Sequence, residues 1–137
     1  MSCKAILSEN AVREFLNELK ELLTAPNFDV SRDLDILLKK SNELPTNPFT
    51  TGNTLLALDF DRNDILEQLM NLDISDYLET FIDDKDSDLP PFFAFGRVIK
   101  SRDVYIKVKI RDRMKNKVFC ISFHFARYPL PIKRPYA

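Results

Sequence analysis

Residues 104–127, VYIKVKIRDRMKNKVFCISFHFAR, are the stretch of sequence that decides the fold. Residues 104–110 alternate strictly, with aliphatic residues on one face and polar ones on the other. After a polar connection the alternation returns, so that one face carries Phe119, Ile121, Phe123 and Phe125. The opposite face carries Cys120, Ser122, His124 and Ala126. Because a period of two is that of a half-buried strand, the stretch predicts a hairpin with one apolar and one basic face.

Burial predicts the register of this hairpin, because a slip of one residue would turn the apolar set of one strand to water. If Arg111 pairs with Val118, then Lys107 faces Ser122 and Tyr105 faces His124. Opposite side chains have Cβ atoms about 4.5–5.5 Å apart. The chain's single His, a Tyr, a Lys and a Ser are therefore expected to share one patch.

Length and composition predict one domain. At 137 residues and 45% hydrophobic content, the chain is long enough for one core. We treat 1–137 as a single domain with a mainly helical acidic part (1–88), a basic antiparallel sheet (89–127) and a proline-rich tail (128–137). No apolar run reaches the ~18 residues of a membrane span, and the N-terminus lacks the apolar core of a signal peptide. We expect a cytoplasmic protein without a membrane partner and with both cysteines reduced.

Charge is divided unevenly along the chain. Residues 1–96 contain 8 Lys and Arg against 19 Asp and Glu, a net charge of −11. Residues 97–137 contain 12 against 2, a net charge of +10. The basic third predicts an anionic partner such as nucleic acid. The alternative is that the two parts neutralise one another in the fold.

Two helices are predicted in the first forty residues. Ser8 is expected to cap a helix over 9–24, in which apolar residues recur every three or four positions, and Pro26 ends it. Ser31 is expected to cap a second helix that ends near Lys39 and Lys40. The predicted buried face of this second helix consists of Leu34, Leu37 and Leu38.

The middle of the chain is predicted to be a loop and two further helices. The segment 44–54 contains two prolines and a glycine and is predicted to be a loop. Asp61 is a plausible N-cap, with Asp64 in the first turn, and Ser75 is expected to cap a short helix over 75–81. The acidic run 83–88 is predicted to be a solvated loop.

The C-terminal part predicts the fold class. Prolines 90 and 91 end any helix, and 92–100 has the composition of a strand that turns into the hairpin. These segments predict an α+β fold, in which N-terminal helices pack on one face of an antiparallel sheet of about three strands. The tail is expected either to lie along the surface or to be held by a partner.

The chemistry that the sequence permits is cofactor-free. With two glycines there is no phosphate-binding loop, and one His cannot form the usual multi-histidine zinc centre, so we expect neither a cofactor nor a metal. RNA supplies its own nucleophile, the 2′-hydroxyl. A protein can cleave RNA by placing a base near that oxygen and cations around the phosphate.

The basic hairpin carries residues suited to this reaction. His124 exchanges a proton near neutral pH, Lys107 and Arg127 are expected to stabilise the phosphate, and Tyr105 to position the substrate. Phosphate binding is further expected from Arg97, Lys109, Arg111 and Ser122. Alternatively, His124 is an ordinary strand residue, and the basic face belongs to a binding module without catalytic activity.

Three segments together resemble the MqsR family of bacterial toxins, within the RelE-like group of small messenger-RNA interferases. They are LDFDRNDILEQLMNLDISDYLET (58–80), VYIKVKI (104–110) and VFCISFHFA (118–126). The resemblance covers about residues 54–127. It implies an α+β fold of RelE and microbial ribonuclease type, metal-independent cleavage of mRNA and an antitoxin partner.

Carried over residue by residue, the resemblance implies a modified site. Tyr105 and Lys107 match the family's functional Tyr and Lys, whereas His124 stands where the family has a catalytic Lys. Glu79 replaces a basic residue, and the family's Gln maps loosely to 93–94.

The sequence therefore predicts an endoribonuclease toxin that cleaves mRNA through 2′-OH attack. Its alternative is a non-catalytic RNA- or protein-binding module that uses the same basic face. A third hypothesis concerns the acidic part of the chain, which would steer a basic partner such as an antitoxin segment or narrow the access of RNA.

Overall fold

The computed structural model describes residues 2–112 and 114–137 and has an α+β architecture. Its helices are α1 (Glu9–Thr24), α2 (Val30–Asp33), α3 (Thr51–Leu58) and α4 (Arg62–Met70). Its strands are β1 (Ser2–Ala5), β2 (Leu34–Ile36), β3 (Tyr77–Asp83), β4 (Phe92–Ile99), β5 (Arg102–Asp112) and β6 (Lys117–Phe125). These strands form one open six-stranded sheet in the order β1-β3-β4-β5-β6-β2.

The predicted meander β4-β5-β6 forms the centre of the sheet. Tyr105 pairs with His124 and Lys107 with Ser122, so the register of this half of the hairpin is confirmed. Nearer the turn the register shifts by one residue, and Ile110 rather than Arg111 pairs with Val118. Such a bulge reverses the alternation beyond it. Cys120 is therefore fully buried, whereas the side chain of Phe119 lies on the opposite face, contrary to prediction.

Helices α1 and α4 begin where the sequence predicts. The Ser8 hydroxyl accepts a hydrogen bond from the Ala11 N–H at the start of α1, and Asp61 and Asp64 form a capping box at α4. The apolar stripe of α1 packs on one face of the sheet, which we call the inner face. There Phe15 stacks on Phe93 with ring centroids 3.9 Å apart.

The predicted second helix is wrong. Helix α2 is a single turn capped by Asp29, and Leu34 already begins a strand that runs parallel to β6. Leu34 is buried, but Leu38 is 54% exposed. Helix propensity is overridden because the edge of β6 supplies backbone hydrogen bonds to this segment. One of them lies just past β2, where the Leu37 N–H donates to the Cys120 carbonyl oxygen at 3.1 Å.

The predicted helix over 75–81 is also wrong. Only Ile74–Asp76 is helical, as one 3₁₀ turn, and β3 follows between β1 and β4. Its inward side chains, Tyr77 and Thr80, are fully buried, and their hydroxyl oxygens lie 2.6 Å apart. The pairing partners on both sides explain why this segment is extended.

The sheet thus has six strands instead of about three, because the first 88 residues contribute β1, β2 and β3. Helix α3 covers the part of the β6 edge that β2 leaves free. Its first four residues, 51–54, were predicted to belong to the loop 44–54, so the end of that loop prediction is wrong. The Thr51 and Thr54 hydroxyls each accept a hydrogen bond at 3.1 Å, from the Phe123 and Phe125 N–H groups. These two hydrogen bonds satisfy backbone N–H groups of β6 beyond the residues that pair with β2.

The tail lies along the molecule, as predicted. Arg134 donates a hydrogen bond to the Gly96 carbonyl oxygen. Tyr136 stacks on Tyr77 with ring centroids 5.9 Å apart and donates to the Leu7 carbonyl. Among the described residues, no helix has the length and apolar content to cross a membrane.

Candidate active site on the outer face of the sheet

The face of the sheet opposite α1, which we call the outer face, holds polar and aromatic side chains in cross-strand rows. Strand pairing aligns them from β1 to β6. The first row contains Lys4, Phe81, Phe92, Lys109 and Phe119. The second contains Glu79, Ala94, Lys107 and Ser122, and the third contains Gly96, Tyr105 and His124.

Tyr105 and His124 face each other in the third row. Their rings are nearly parallel, 27° apart, with centroids separated by 5.5 Å. Both line a cavity of about 480 Å³, whose wall is completed by Glu79 and by tail residues including Leu130. The cross-strand pair predicted from the sequence is therefore part of a concave site.

His124 is held in one protonation pattern by its own strand. Its Nδ1 lies 3.0 Å from the Phe125 carbonyl oxygen. Since a carbonyl only accepts, Nδ1 carries the proton and the neutral ring has its lone pair on Nε2. Burial lowers the pKa of His124 below its usual value. The hydrogen bond to Phe125 raises this pKa and offsets only part of the effect of burial. The imidazole is therefore a proton acceptor at neutral pH.

Tyr105 keeps its proton. Burial and the nearby charge of Glu79 raise the pKa of its hydroxyl. Its ring is half-buried between the two strands, and its hydroxyl has no hydrogen-bond partner in the described part of the chain. Tyr105 thus offers a neutral donor to a molecule in the cavity.

Lys107 is a cation with an unusually low pKa. Burial is the main cause, and the neighbouring charge of Lys40 adds to it, so that the pKa falls to about 8. Its Nζ lies 3.6 Å from the centroid of the Phe81 ring. No carboxylate lies within 4.0 Å of Lys107 in residues 2–112 and 114–137. Its charge is available to an anion.

The predicted arginines have carboxylate partners. Arg127 bonds Glu43 at 2.7 Å and Arg111 bonds Asp35 at 3.1 Å. Arg97 lies on the inner face, where it bonds Asp76 at 3.0 Å, so the structure does not bring it to the site. For these three residues the two oppositely charged parts of the chain do neutralise one another.

Two other predicted phosphate contacts differ in exposure. Lys109 is half-buried, with its Nζ 4.6 Å from the centroid of the Phe92 ring, and burial lowers its pKa. Ser122 is fully buried, and its hydroxyl has no partner in the described residues. Lys109 is therefore available at the surface, whereas the Ser122 hydroxyl is not.

Several residues join the site from distant parts of the sequence. Lys4 lies 3.6 Å from Glu79. Lys40, Glu43 and Arg127 line a second cavity of about 330 Å³ that also reaches His124. No local sequence signal marks Lys4, Lys40 or Glu43. The pattern Glu79-x-Phe81 is the one available hint, since it alternates as an outer strand face does.

Searches for related proteins yield no match among protein-family models, curated proteins or solved structures. The groups at the site are chemically suited to proton transfer beside an anion. His124 supplies a base, Lys107 a cation that also carries a transferable proton, and Tyr105 a neutral donor. A neutral base and a cation whose pKa is shifted towards neutrality, on one face, are typical of general acid–base catalysis.

Proposed function

We propose that this protein is a metal-independent endoribonuclease that cleaves messenger RNA by attack of the 2′-hydroxyl. The observation that carries the proposal is the His124–Tyr105 pair, 5.5 Å between centroids, on the wall of a cavity beside Lys107. Each of these groups serves a step that RNA transesterification requires.

The base in this reaction is His124. Its Nε2 accepts the proton of the 2′-hydroxyl, and the resulting oxyanion attacks the adjacent phosphorus. The bond from phosphorus to the 5′-oxygen breaks, which leaves a 2′,3′-cyclic phosphate. Because burial keeps the imidazole neutral, it is ready to accept a proton at pH 7.

The acid in this reaction is Lys107. Its ammonium group stabilises the added negative charge on the phosphate oxygens and donates a proton to the departing 5′-oxygen. A pKa of about 8 makes this transfer easier than from an ordinary lysine while leaving the group protonated at pH 7. Tyr105 positions the phosphate through its hydroxyl, and Arg127 supports the site through Glu43.

The resemblance to the MqsR family favours a narrower form of the proposal. In that form the protein is a RelE-like toxin, acts on mRNA in the cytoplasm and inhibits translation until a cognate antitoxin binds it. Departures at His124 and Glu79 would give it a different acid–base set from that of the family.

Cleavage of RNA by the purified full chain in EDTA tests the proposal. We expect new 5′-hydroxyl ends and 2′,3′-cyclic phosphate ends, and a loss of about 10²- to 10⁴-fold in rate on His124→Ala. Lys107→Ala should lower the rate, while Lys85→Ala, in the exposed acidic loop, should not. Unchanged cleavage by His124→Ala with a wild-type thermal midpoint would refute the assignment.

A non-catalytic binding module is the second candidate. It is favoured by the ion pair of Arg127 with Glu43, which takes the cation predicted to stabilise the reacting phosphate away from that role. In that case the full chain binds RNA or an acidic protein in a salt-dependent manner and yields no new RNA ends under any condition.

A further inference from the structure

Phenylalanines form an unusual row on the outer face, some distance from the proposed catalytic pair. Phe81, Phe92 and Phe119 come from β3, β4 and β6, and each is half-buried. Phe81 pairs directly with Phe92, and Phe119 with Lys109. The rings of Phe92 and Phe119 meet edge to face with centroids 5.8 Å apart. The row therefore places three rings on one face across four adjacent strands, with Lys109 of β5 between those of β4 and β6.

Cations lie over each of these rings. Lys107 Nζ lies 3.6 Å from the Phe81 centroid, and Lys109 Nζ lies 4.6 Å from that of Phe92. The Arg111 guanidinium carbon lies 4.2 Å from the centroid of Phe119. Alternating aromatic faces and cations are what single-stranded nucleic acids need, since bases stack on the rings and phosphates contact the charges.

Burial argues that the row is more than part of the core. The core-forming rings of the inner face, such as Phe93 and Phe95, are at most 5% exposed, whereas the outer rings keep part of their surface in solvent. Lys107 and Lys109 form no ion pair within the described residues. Both ammonium groups can therefore move from the rings to a phosphate without breaking an ion pair.

The row is placed to bind nucleotides next to a cleavage site. Tyr105 and Lys109 lie four residues apart on one strand, which is about 13 Å. A strand of a few nucleotides with its phosphate at His124 reaches the row across Lys107. A double helix cannot present its bases to the rings, because they are paired and stacked inside it.

We propose that Phe81, Phe92 and Phe119, with Lys107 and Lys109, form a base-stacking platform for unpaired nucleotides beside the scissile phosphate. This inference rests on the proposed function and specifies its substrate as single-stranded RNA. Stacking on the platform discriminates unpaired from paired RNA without reading base identity, because every base has a π-face.

Equilibrium binding in the His124→Ala background separates platform from catalysis, since the RNA stays intact. The probe is a fluorescently labelled, unstructured RNA of ten nucleotides, and the readout is anisotropy. We expect Phe92→Leu and Phe119→Leu each to weaken binding about tenfold. Phe92→Tyr, which keeps the ring, should restore the affinity.

Phe60→Leu is the matched control. Phe60 is a half-buried ring with a lysine above it, Lys100 at 5.4 Å, but it packs against Phe123 on the inner face. This variant should bind RNA like its parent. Lys109→Gln should lower the slope of log affinity against log salt concentration by about one unit, because one phosphate contact is lost. The Phe variants should leave this slope unchanged.

Three results would overturn the platform: equal affinity of the parent and both Phe→Leu variants, equal affinity for duplex and single strand, or equal competition by polyglutamate. Failure of the proposed function looks different. In that case the His124-containing chain binds the single strand through these rings and never cuts it.

Discussion

The imidazole of His124 acquires its chemistry from two neighbours that the sequence places beside it. The carbonyl of Phe125 holds the proton on Nδ1, and the ring of Tyr105 covers one side of the imidazole. Burial then lowers its pKa, while burial of Lys107 lowers that of the ammonium group to about 8. Burial thus keeps the imidazole neutral at pH 7 and brings the pKa of the Lys107 ammonium group closer to neutral pH.

A bell-shaped pH profile for kcat/KM is the expected consequence. The rate should rise as pH increases through the lowered pKa of His124, below about 6.5, because only the neutral ring accepts a proton. It should fall above about 8, as Lys107 loses its proton. The measurement is the initial cleavage rate at low substrate concentration between pH 5 and pH 10.

Two variants assign the alkaline limb of this profile. Lys107→Arg keeps its charge above pH 12, so the limb should move to higher pH at a reduced rate. Glu79→Gln removes a charge that raises the pKa of Lys107, so the limb should move to lower pH. A limb that stays at pH 8 in Lys107→Arg would show that another group titrates there.

Strand β2 shows how an element of three residues can depend on a partner far away in sequence. Leu34 pairs with Val118 and points into the core, whereas Leu38 is past the strand and exposed. A helix would have placed both on one buried face, since they are four residues apart.

Substitution of these two leucines distinguishes the strand from the helix. Leu34→Ala should lower the free energy of unfolding by about 3 kcal/mol, because it removes a side chain with no exposed surface. Leu38→Ala should change it by less than about 0.5 kcal/mol. Urea titration followed by circular dichroism measures both, and equal losses would contradict the strand.

The tail depends on a glycine for its position. A Cβ atom at Gly96 would lie 2.6 Å from Leu130 Cδ1 and 3.2 Å from Arg134 Nη2. Because real Cβ atoms do not approach so closely, a side chain at 96 forces the ends of the Leu130 and Arg134 side chains, which hold the tail against the sheet, to shift.

Gly96→Ala should therefore loosen the tail without unfolding the sheet. We expect trypsin to cut after Lys133 about threefold faster than in the parent, which corresponds to about 0.6 kcal/mol in the opening equilibrium. Gly52→Ala is the control, since its Cβ would meet nothing closer than 3.5 Å. Tail cleavage that is unaffected by Gly96→Ala would mean that the tail is not held there.

Opposite charges of the two parts of the molecule meet in the fold. Asp33 is buried, bonds Arg32 at 2.9 Å and lies 3.6 Å from Lys117 Nζ. Its pKa is held well below the usual range by the Arg32 hydrogen bond and the Asp29 backbone N–H, and that of Glu43 is lowered too. Both carboxylates tie the acidic part of the chain to the basic sheet.

Acid should therefore destabilise the whole molecule. A group whose folded pKa is below its unfolded value stabilises the fold above the unfolded pKa, about 4, and loses that contribution as pH falls through the folded pKa. The urea midpoint should fall slightly below about pH 6.5, because the lowered pKa of His124 makes the unfolded chain bind a proton first, and should fall further between about pH 4 and 2. Asp33→Asn should unfold at lower urea at pH 7 and show a smaller fall, whereas a midpoint independent of pH would contradict these shifts.

Local interactions make a good part of this protein predictable. The alternation of 104–107 and 122–125 determines the faces and register of that half of the hairpin, and with them the Tyr105–His124 pair. The Ser8 cap and the apolar stripe likewise determine α1. Each of these signals arises within a few residues, where side-chain spacing alone distinguishes a buried from a solvated surface.

Tertiary structure decided the rest. Short segments such as 34–36 and 77–83 become strands because the edges of neighbouring strands offer them hydrogen bonds. The bulge in the β5–β6 pairing places the side chain of Phe119 on the outer face and that of Cys120 in the core. Lys107 and Lys109 stay free for a ligand because no carboxylate of the described chain lies within 4.0 Å of their ammonium groups. Which charges meet depends on contacts between residues far apart in sequence, and a one-dimensional pattern does not contain those distances.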